Sequence, residues 1–229
     1  MIHSFLMIGQ SNMAGRGQLG DLAPIDNDKL YMLRNGRWLH LTEPVNYDRP
    51  FAGTSLATSF AHEYSCHFHC ETGLIPCAEG GSSLDDWITD GQLYSHAVDQ
   101  TVLARRTSEV KGILWHQGEA DSEDETNAMT YPERFLAIIL ALKNECGLEH
   151  VPVIMGELGG FLAAYGNGKC RYYTMVNEAL SDIAESFPGY GLASSEGLTA
   201  NEDGIHFNAA SLREFGKRYF SKYLELSHG

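Results

Sequence analysis

The sequence predicts an α/β fold, because short apolar runs alternate with longer amphipathic ones and glycine-rich turns follow several of the short runs. At 229 residues, with 43% hydrophobic and 20% charged, the chain fits one globular domain over 1–229 with a sizeable core. No internal repeat, low-complexity stretch or linker interrupts it.

The first apolar run, Phe5 to Ile8, is short enough for a buried strand. It leads into Gly9-Gln10-Ser11-Asn12-Met13-Ala14-Gly15-Arg16-Gly17, where the glycines permit sharp turns and close backbone approach. The region Asp21 to Gly53 is polar and irregular, and its Tyr31, Trp38 and Tyr47 mark it as an ordered loop over the active face. Leu56, Phe60, Ala61 and Tyr64 recur at helical spacing from Thr54 to about His67, with Thr54 or Ser55 available as cap.

Gly73 to Ala78 reads as a second strand, and its Pro76 belongs at an edge or a strand end. The turn Glu79-Gly80-Gly81-Ser82 follows. A helix over Gln92 to Val110 leads to a third strand, Gly112 to Trp115, which ends in His116-Gln117-Gly118-Glu119-Ala120-Asp121. Tyr131 to Asn144 is the next amphipathic helix, Val151 to Met155 the fourth strand, Tyr172 to Phe187 another helix, and Tyr190 to Ala193 a short fifth strand. Asn208 to Leu226 reads as a C-terminal helix.

Charge and composition exclude several partners. Sixteen basic against thirty acidic residues give a net charge of −14, which repels phosphate backbones and anionic membranes, so no nucleic-acid partner is expected. No apolar run is long enough to span a bilayer, and the N-terminal residues lack a signal-peptide pattern. The expectation is a soluble, cytoplasmic protein. Five scattered cysteines suit reduced thiols better than a disulfide framework. Cys66-x-x-x-Cys70 with His67 and His69 matches no standard zinc spacing, and the glycines around Arg16 lack the Gly-Lys-Ser/Thr of a P-loop, so neither metal nor cofactor is expected.

Ser11 stands where a strand meets a glycine-rich turn, at the sheet end where α/β proteins bind ligands. Two readings stand: a nucleophile, or a helix cap. A serine hydroxyl needs a base to take its proton and a third group to fix the tautomer of that base. Asp203 and His206, three residues apart, can supply both: the carboxylate meets Nδ1 and leaves Nε2 for Ser11. Asp-x-x-His alone is common by chance, and its meaning comes from the company it keeps.

Gly9-Gln10-Ser11-Asn12-Met13, Gly80-Gly81-Ser82 with Trp87, His116-Gln117-Gly118-Glu119, and Asp203-x-x-His206 stand in the order and approximate spacing of the SGNH hydrolases. Within that superfamily the chain resembles the sialate O-acetylesterase and acetylxylan esterase branch of carbohydrate esterases, in which Gln10 and Gln117 replace the aspartate and asparagine of the broader group. The resemblance implies a three-layer α/β/α sandwich, flavodoxin-like, with a five-stranded parallel sheet. It implies a triad of Ser11, Asp203 and His206, and an oxyanion hole made by the N–H of Ser11, the N–H of Gly81 (or, one residue off, Gly80) and the side-chain amide of Gln117. Gln10, Asn12 and Glu119 are expected near the site as contacting or supporting residues, while Arg16 and Trp87 either touch a sugar or are structural.

The activity expected is removal of O-acetyl groups from an acetylated carbohydrate through an acyl-enzyme, without cofactor. A broad short-chain esterase on the same triad and an inactive carbohydrate-binding protein are the alternatives.

Overall fold

A computed structural model describes residues 1–227. A seven-stranded sheet runs through it, made of β1 (Ile2–Gly9), β2 (Leu30–Arg34), β3 (Arg37–His40), β4 (Thr72–Pro76), β5 (Ser108–His116), β6 (Val153–Gly156) and β7 (Tyr190–Ala193) in the order β3-β2-β4-β1-β5-β6-β7. All neighbouring pairs are parallel except β2 with β3, which form an antiparallel hairpin at the edge. After β1 the chain lays β2, β3 and β4 on one side, with β4 inserted next to β1, and then β5, β6 and β7 on the other, so the topological switch lies between β1 and β5. Ligands bind at such points, beyond the carboxyl ends of the strands.

The helices are α1 (Ser11–Ala14), α2 (Leu56–Phe68), α3 (Gln92–Ala104), α4 (Glu125–Met129), α5 (Tyr131–Cys146), α6 (Tyr173–Ser186) and α7 (Ala209–Ser227). Because side chains alternate across a strand, β1 sends Leu6 and Ile8 to the face covered by α3, α5 and α6, and Phe5 and Met7 to the face covered by α2 and α7. Strands β4, β5 and β6 split the same way, with Ile75, Ile113, Trp115, Val153 and Met155 on the first face and Leu74, Leu114 and Ile154 on the second. Both faces are dry, which is why these strands read as continuous apolar runs. The three-layer α/β/α class follows from this packing.

The five-stranded expectation is corrected by the hairpin. Asn35 (φ 50°) and Gly36 (φ 73°) form its two-residue turn, a geometry that favours Asn-Gly because both central residues must take positive φ. Strand β5 also starts earlier than its apolar run, at Ser108, and α3 stops at Ala104 instead of Val110. Ser108 and Val110 are buried while Glu109 between them is exposed, an alternation that fits a strand and not a helix. Pro76 closes β4 where that strand ends, and Ser55 caps α2 by accepting from the Ala57 N–H.

Candidate active site

Ser11 is placed by the end of β1. Gly9 has φ +124°, and a Cβ there would lie 2.2 Å from the His116 carbonyl oxygen, so the strand can finish flush against β5 only with glycine. The backbone then locks on both sides: the Gln10 N–H donates to His116 O at 2.8 Å and the Glu79 N–H donates to Gly9 O at 3.0 Å. Three of the four sequence blocks therefore meet at the ends of β4, β1 and β5. Ser11 is the first residue of α1 and makes no capping bond, which removes the cap reading.

The fourth block lies between β7 and α7. A tight turn, closed by the Asn201 N–H to His206 O at 2.7 Å and the Gly204 N–H to Asn201 O at 3.0 Å, presents Asp203 and His206 toward Ser11. His206 Nδ1 is 2.8 Å from Asp203 Oδ2, and His206 Nε2 is 2.9 Å from Ser11 Oγ. With Nδ1 donating to the carboxylate, Nε2 carries the lone pair that accepts the serine O–H. Burial pushes the Asp203 carboxyl up, but the N–H groups of His206 and Ile205 and the His206 ring outweigh it and hold its pKa below the ordinary aspartate value. An ionised Asp203 is what fixes that tautomer.

The turn after β4 forms the facing wall. The Gly80 N–H donates to Asp48 Oδ2 at 2.9 Å, whereas the N–H groups of Gly81 and Ser11 have no acceptor among the described residues. Of the two glycines, Gly81 is the one with a free donor. Gly80 is required for another reason, since a Cβ there would meet Arg16 Nη2 at 2.3 Å. Arg16 is held by Asp48 at 2.5 Å, both side chains being almost fully buried. Trp87 is 1% exposed, donates its indole N–H to Ser82 Oγ at 3.0 Å and stacks edge-on against Trp115. It braces the glycine turn from behind, which decides for its structural reading.

Gln117 departs from expectation. It is fully buried, and its amide nitrogen lies 3.1 Å from Ser82 O, 3.2 Å from Gln10 Oε1 and 2.5 Å from Asp121 Oδ2. Three acceptors compete for two N–H bonds, so no donor remains for an oxyanion. This corrects the assignment of Gln117 to the hole. Gln10 Oε1 in turn takes the N–H groups of Gly118 and Ala120 at 3.3 and 3.4 Å, which turns the Gln10 amide so that its Nε2 end has no partner among the described residues. Gln10 itself lines the pocket and Gln117 does not.

That pocket, about 380 Å³, is lined by Gln10, Ser11, Gly80, Gly81, Glu119 and His206, together with Arg16, Arg49, Phe51, Ala120, Glu123, Tyr165, Lys169 and Ile205. Arg49, Phe51, Glu123, Tyr165 and Lys169 were not legible as site residues. The loops Asp21 to Gly53 and Glu119 to Thr130 carried a signal for Arg49, Phe51 and Glu123, and it named no position. Arg49 is paired with Glu79, and Lys169 with Glu123 at 3.0 Å. Cys66 and its neighbours close α2 on another part of the surface, and among the described residues no three His, Cys, Asp or Glu side chains converge as metal ligands.

Fold and sequence blocks together define an SGNH-type carboxylic ester hydrolase. Over residues 1–225 the chain matches, and belongs to, the family described as carbohydrate esterase, sialic acid-specific acetylesterase. A probable carbohydrate esterase of Arabidopsis thaliana is 26% identical over 96% of this chain and 89% of its own length. The X-ray structure of an Arabidopsis thaliana protein, also 26% identical, superposes with a TM-score of 0.87 over 97% of this chain and 98% of that one. The fold is shared with NanS (TM-score 0.77, 15% identity, 99% and 98% covered) and with XAC1771, a carbohydrate acetylesterase from Xanthomonas citri (TM-score 0.76, 22% identity, 99% and 56% covered). No helix among the described residues is long and apolar enough to cross a membrane.

Proposed function

We propose that this esterase removes O-acetyl groups from carbohydrates through an acetyl-enzyme on Ser11, and the observation that carries the reading is the unbroken line from Ser11 Oγ through His206 to Asp203. Ser11 Oγ attacks the acetyl carbonyl carbon while His206 Nε2 takes the hydroxyl proton, and the carbonyl π pair moves onto oxygen. The N–H groups of Ser11 and Gly81 receive that oxyanion, with the Gln10 amide nitrogen as third donor. Neutral donors stabilise the developing charge without ion-pairing the substrate. Collapse of the intermediate breaks the ester C–O bond, and the sugar oxygen leaves with the proton from His206. Water, deprotonated by His206, then attacks the carbonyl carbon of acetyl-Ser11; the bond to Ser11 Oγ breaks, the proton returns from His206 to Oγ, and acetate leaves.

Neutral acetylated sugars fit this pocket better than sialic acids, because Arg16, Arg49 and Lys169 each already face an acidic partner, Asp48, Glu79 and Glu123. A substrate carboxylate would have to displace one of these. Phe51, 69% exposed on the pocket wall, offers a sugar an apolar face to stack on.

Acetate release from acetylated xylo-oligosaccharides and from O-acetylated sialic acids, with wild type and Ser11→Ala, tests both parts. The expected outcome is faster release from the neutral substrates, with release and fluorophosphonate labelling abolished in Ser11→Ala. Labelling that persists on the variant overturns the mechanism; faster release from sialic acids overturns the substrate preference alone. Equal rates on acetyl and butyryl esters of one alcohol would favour the broad short-chain esterase.

A further inference from the structure

Asn12 follows the nucleophile in sequence, yet all its side-chain bonds go to distant parts of the chain. It is 1% exposed. Its Oδ1 accepts the Phe207 N–H at 3.0 Å, and its Nδ2 lies 3.3 Å from the Ile205 carbonyl oxygen and 2.5 Å from Glu119 Oε1. One amide thus grips the backbone immediately before and immediately after His206. Since Asn12 sits beside Ser11 on α1, the grip ties the nucleophile to its base across 195 residues of chain.

The amide can hold both sides only in one orientation. Flipped, its oxygen would face the Ile205 carbonyl and its nitrogen the Phe207 N–H, and both contacts would be repulsive. Glu119 decides the matter because a carboxylate only accepts hydrogen bonds, so it draws Nδ2 and never Oδ1. Burial pushes the Glu119 carboxyl up, yet the His116 ring and the Asn12 amide outweigh burial and hold its pKa below the ordinary glutamate value. His116 Nε2 is 3.5 Å from Glu119 Oε1, while its Nδ1 lies 3.1 Å from the Tyr219 hydroxyl. That hydroxyl donates to Trp115 O at 2.8 Å. The His116 ring is fixed in turn.

From this we infer that Asn12 is a positioning residue that sets the register of His206 against Ser11, with Glu119 as the buried anchor that orients it. The inference rests on acyl transfer at Ser11. Neither side chain takes part in bond making. Their work is to keep the 2.9 Å contact between His206 Nε2 and Ser11 Oγ in line.

The test compares Asn12→Ala, Glu119→Ala, Glu119→Gln and the double alanine variant with wild type and Ser11→Ala. Steady-state kinetics on 4-nitrophenyl acetate, fluorophosphonate labelling rates and thermal melting are measured for each. Loss of register should lower kcat of Asn12→Ala by on the order of 10- to 100-fold with KM nearly unchanged, since misplacement by about 1 Å costs up to that much. Glu119→Ala should fall comparably and Glu119→Gln distinctly less, because glutamine keeps an oxygen for Asn12 Nδ2. The double variant should be no slower than the worse single one, as expected of residues acting through one contact.

Normal kcat in folded Asn12→Ala, or multiplying losses in the double variant, overturns the inference. Should Asn12→Ala fail to fold, the glutamate pair decides: equal losses in folded Glu119→Gln and Glu119→Ala assign the carboxylate a different role. Labelling of Ser11→Ala would instead remove the acyl-transfer reading beneath it.

Discussion

The rim and the floor of this site are built on opposite terms. On the rim, the Asp203 side chain is 45% exposed and that of His206 19%. On the floor, Gln10, Asn12, Gln117 and Glu119 are at most 2% exposed and bonded to one another, to the backbone and to Asp121. In the proposed reaction His206 exchanges protons with substrate and water and must be reachable by both, and Asp203 is carried to the surface on the same short turn. Groups that only fix geometry gain from being dry, because hydrogen bonds strengthen in low dielectric and an unpaired partner there is costly. Rim variants should therefore alter rate and leave stability alone, whereas floor variants should move the two together.

Asp203→Asn gives the largest separation. The amide would present the wrong partner to Nδ1 and favour the unproductive tautomer, so turnover should fall by ~10⁴-fold while the melting temperature stays near wild type. Kinetics beside calorimetry check it, and a large drop in melting temperature would blur the contrast. Gln117→Ala should do the reverse, destabilising by about 1–3 kcal/mol as Gln10 and Asp121 lose a buried donor, with activity falling in parallel. Undiminished stability with lost turnover would return Gln117 to the oxyanion hole. Gln117→Glu should destabilise more, since a carboxylate would stand beside Asp121.

Two neighbouring floor carboxylates sharpen the comparison by pH. Glu119 is held below its ordinary value in the folded protein, so its contribution to stability is present above the glutamate range and is lost as pH falls through the lowered value. Asp121 is the opposite: burial raises it, and the Gln117 amide, the Leu84 N–H and Arg134 only partly offset that. Its contribution is present at pH below the ordinary aspartate value and is lost as pH rises through the raised one. Melting curves against pH should change slope in opposite directions in Glu119→Gln and Asp121→Asn, and slopes of the same sign would refute the assignment. Trp87→Phe should have the smallest effect on turnover. It removes one buried hydrogen bond to Ser82, worth about 1 kcal/mol, and shortens a buried ring, so it costs some stability while turnover should stay close to wild type. A loss of turnover out of proportion to that would show that the glycine turn depends on the indole for its alignment.

What could be read in the sequence follows a similar division. Strands β1, β4, β5, β6 and β7 were legible because each buries both faces and so writes a short apolar run. That Ser11, Asp203 and His206 meet in space was legible because the proposed acyl transfer restricts the residue types and the blocks keep their order. The hairpin carries a sufficient signal in Asn35-Gly36, but in a polar stretch Tyr31 and Trp38 resemble loop aromatics more than strand residues. The fate of the Gln117 amide was not legible, because it is set by Asp121, Gln10 and Ser82, and the distances among them exist only after folding. Arg49 and Phe51 reach the pocket for the same kind of reason: a loop position acquires meaning from the wall it lands on.

The edge hairpin has an evolutionary consequence. The chain leaves β3 and runs directly into residues 41–53, which supply Arg49 and Phe51 to the pocket and Asp48 to Arg16 and Gly80 in its wall, while Ser11 hangs from β1 in the interior of the sheet. The segment that would discriminate among sugars is thus grafted on at the periphery, and the hydrogen bonds joining β4, β1 and β5 do not pass through it. If the proposed reaction holds, substitutions and length changes there would retune substrate choice without disturbing Ser11 and His206, provided the Asp48 contacts to Arg16 and to the Gly80 N–H survive.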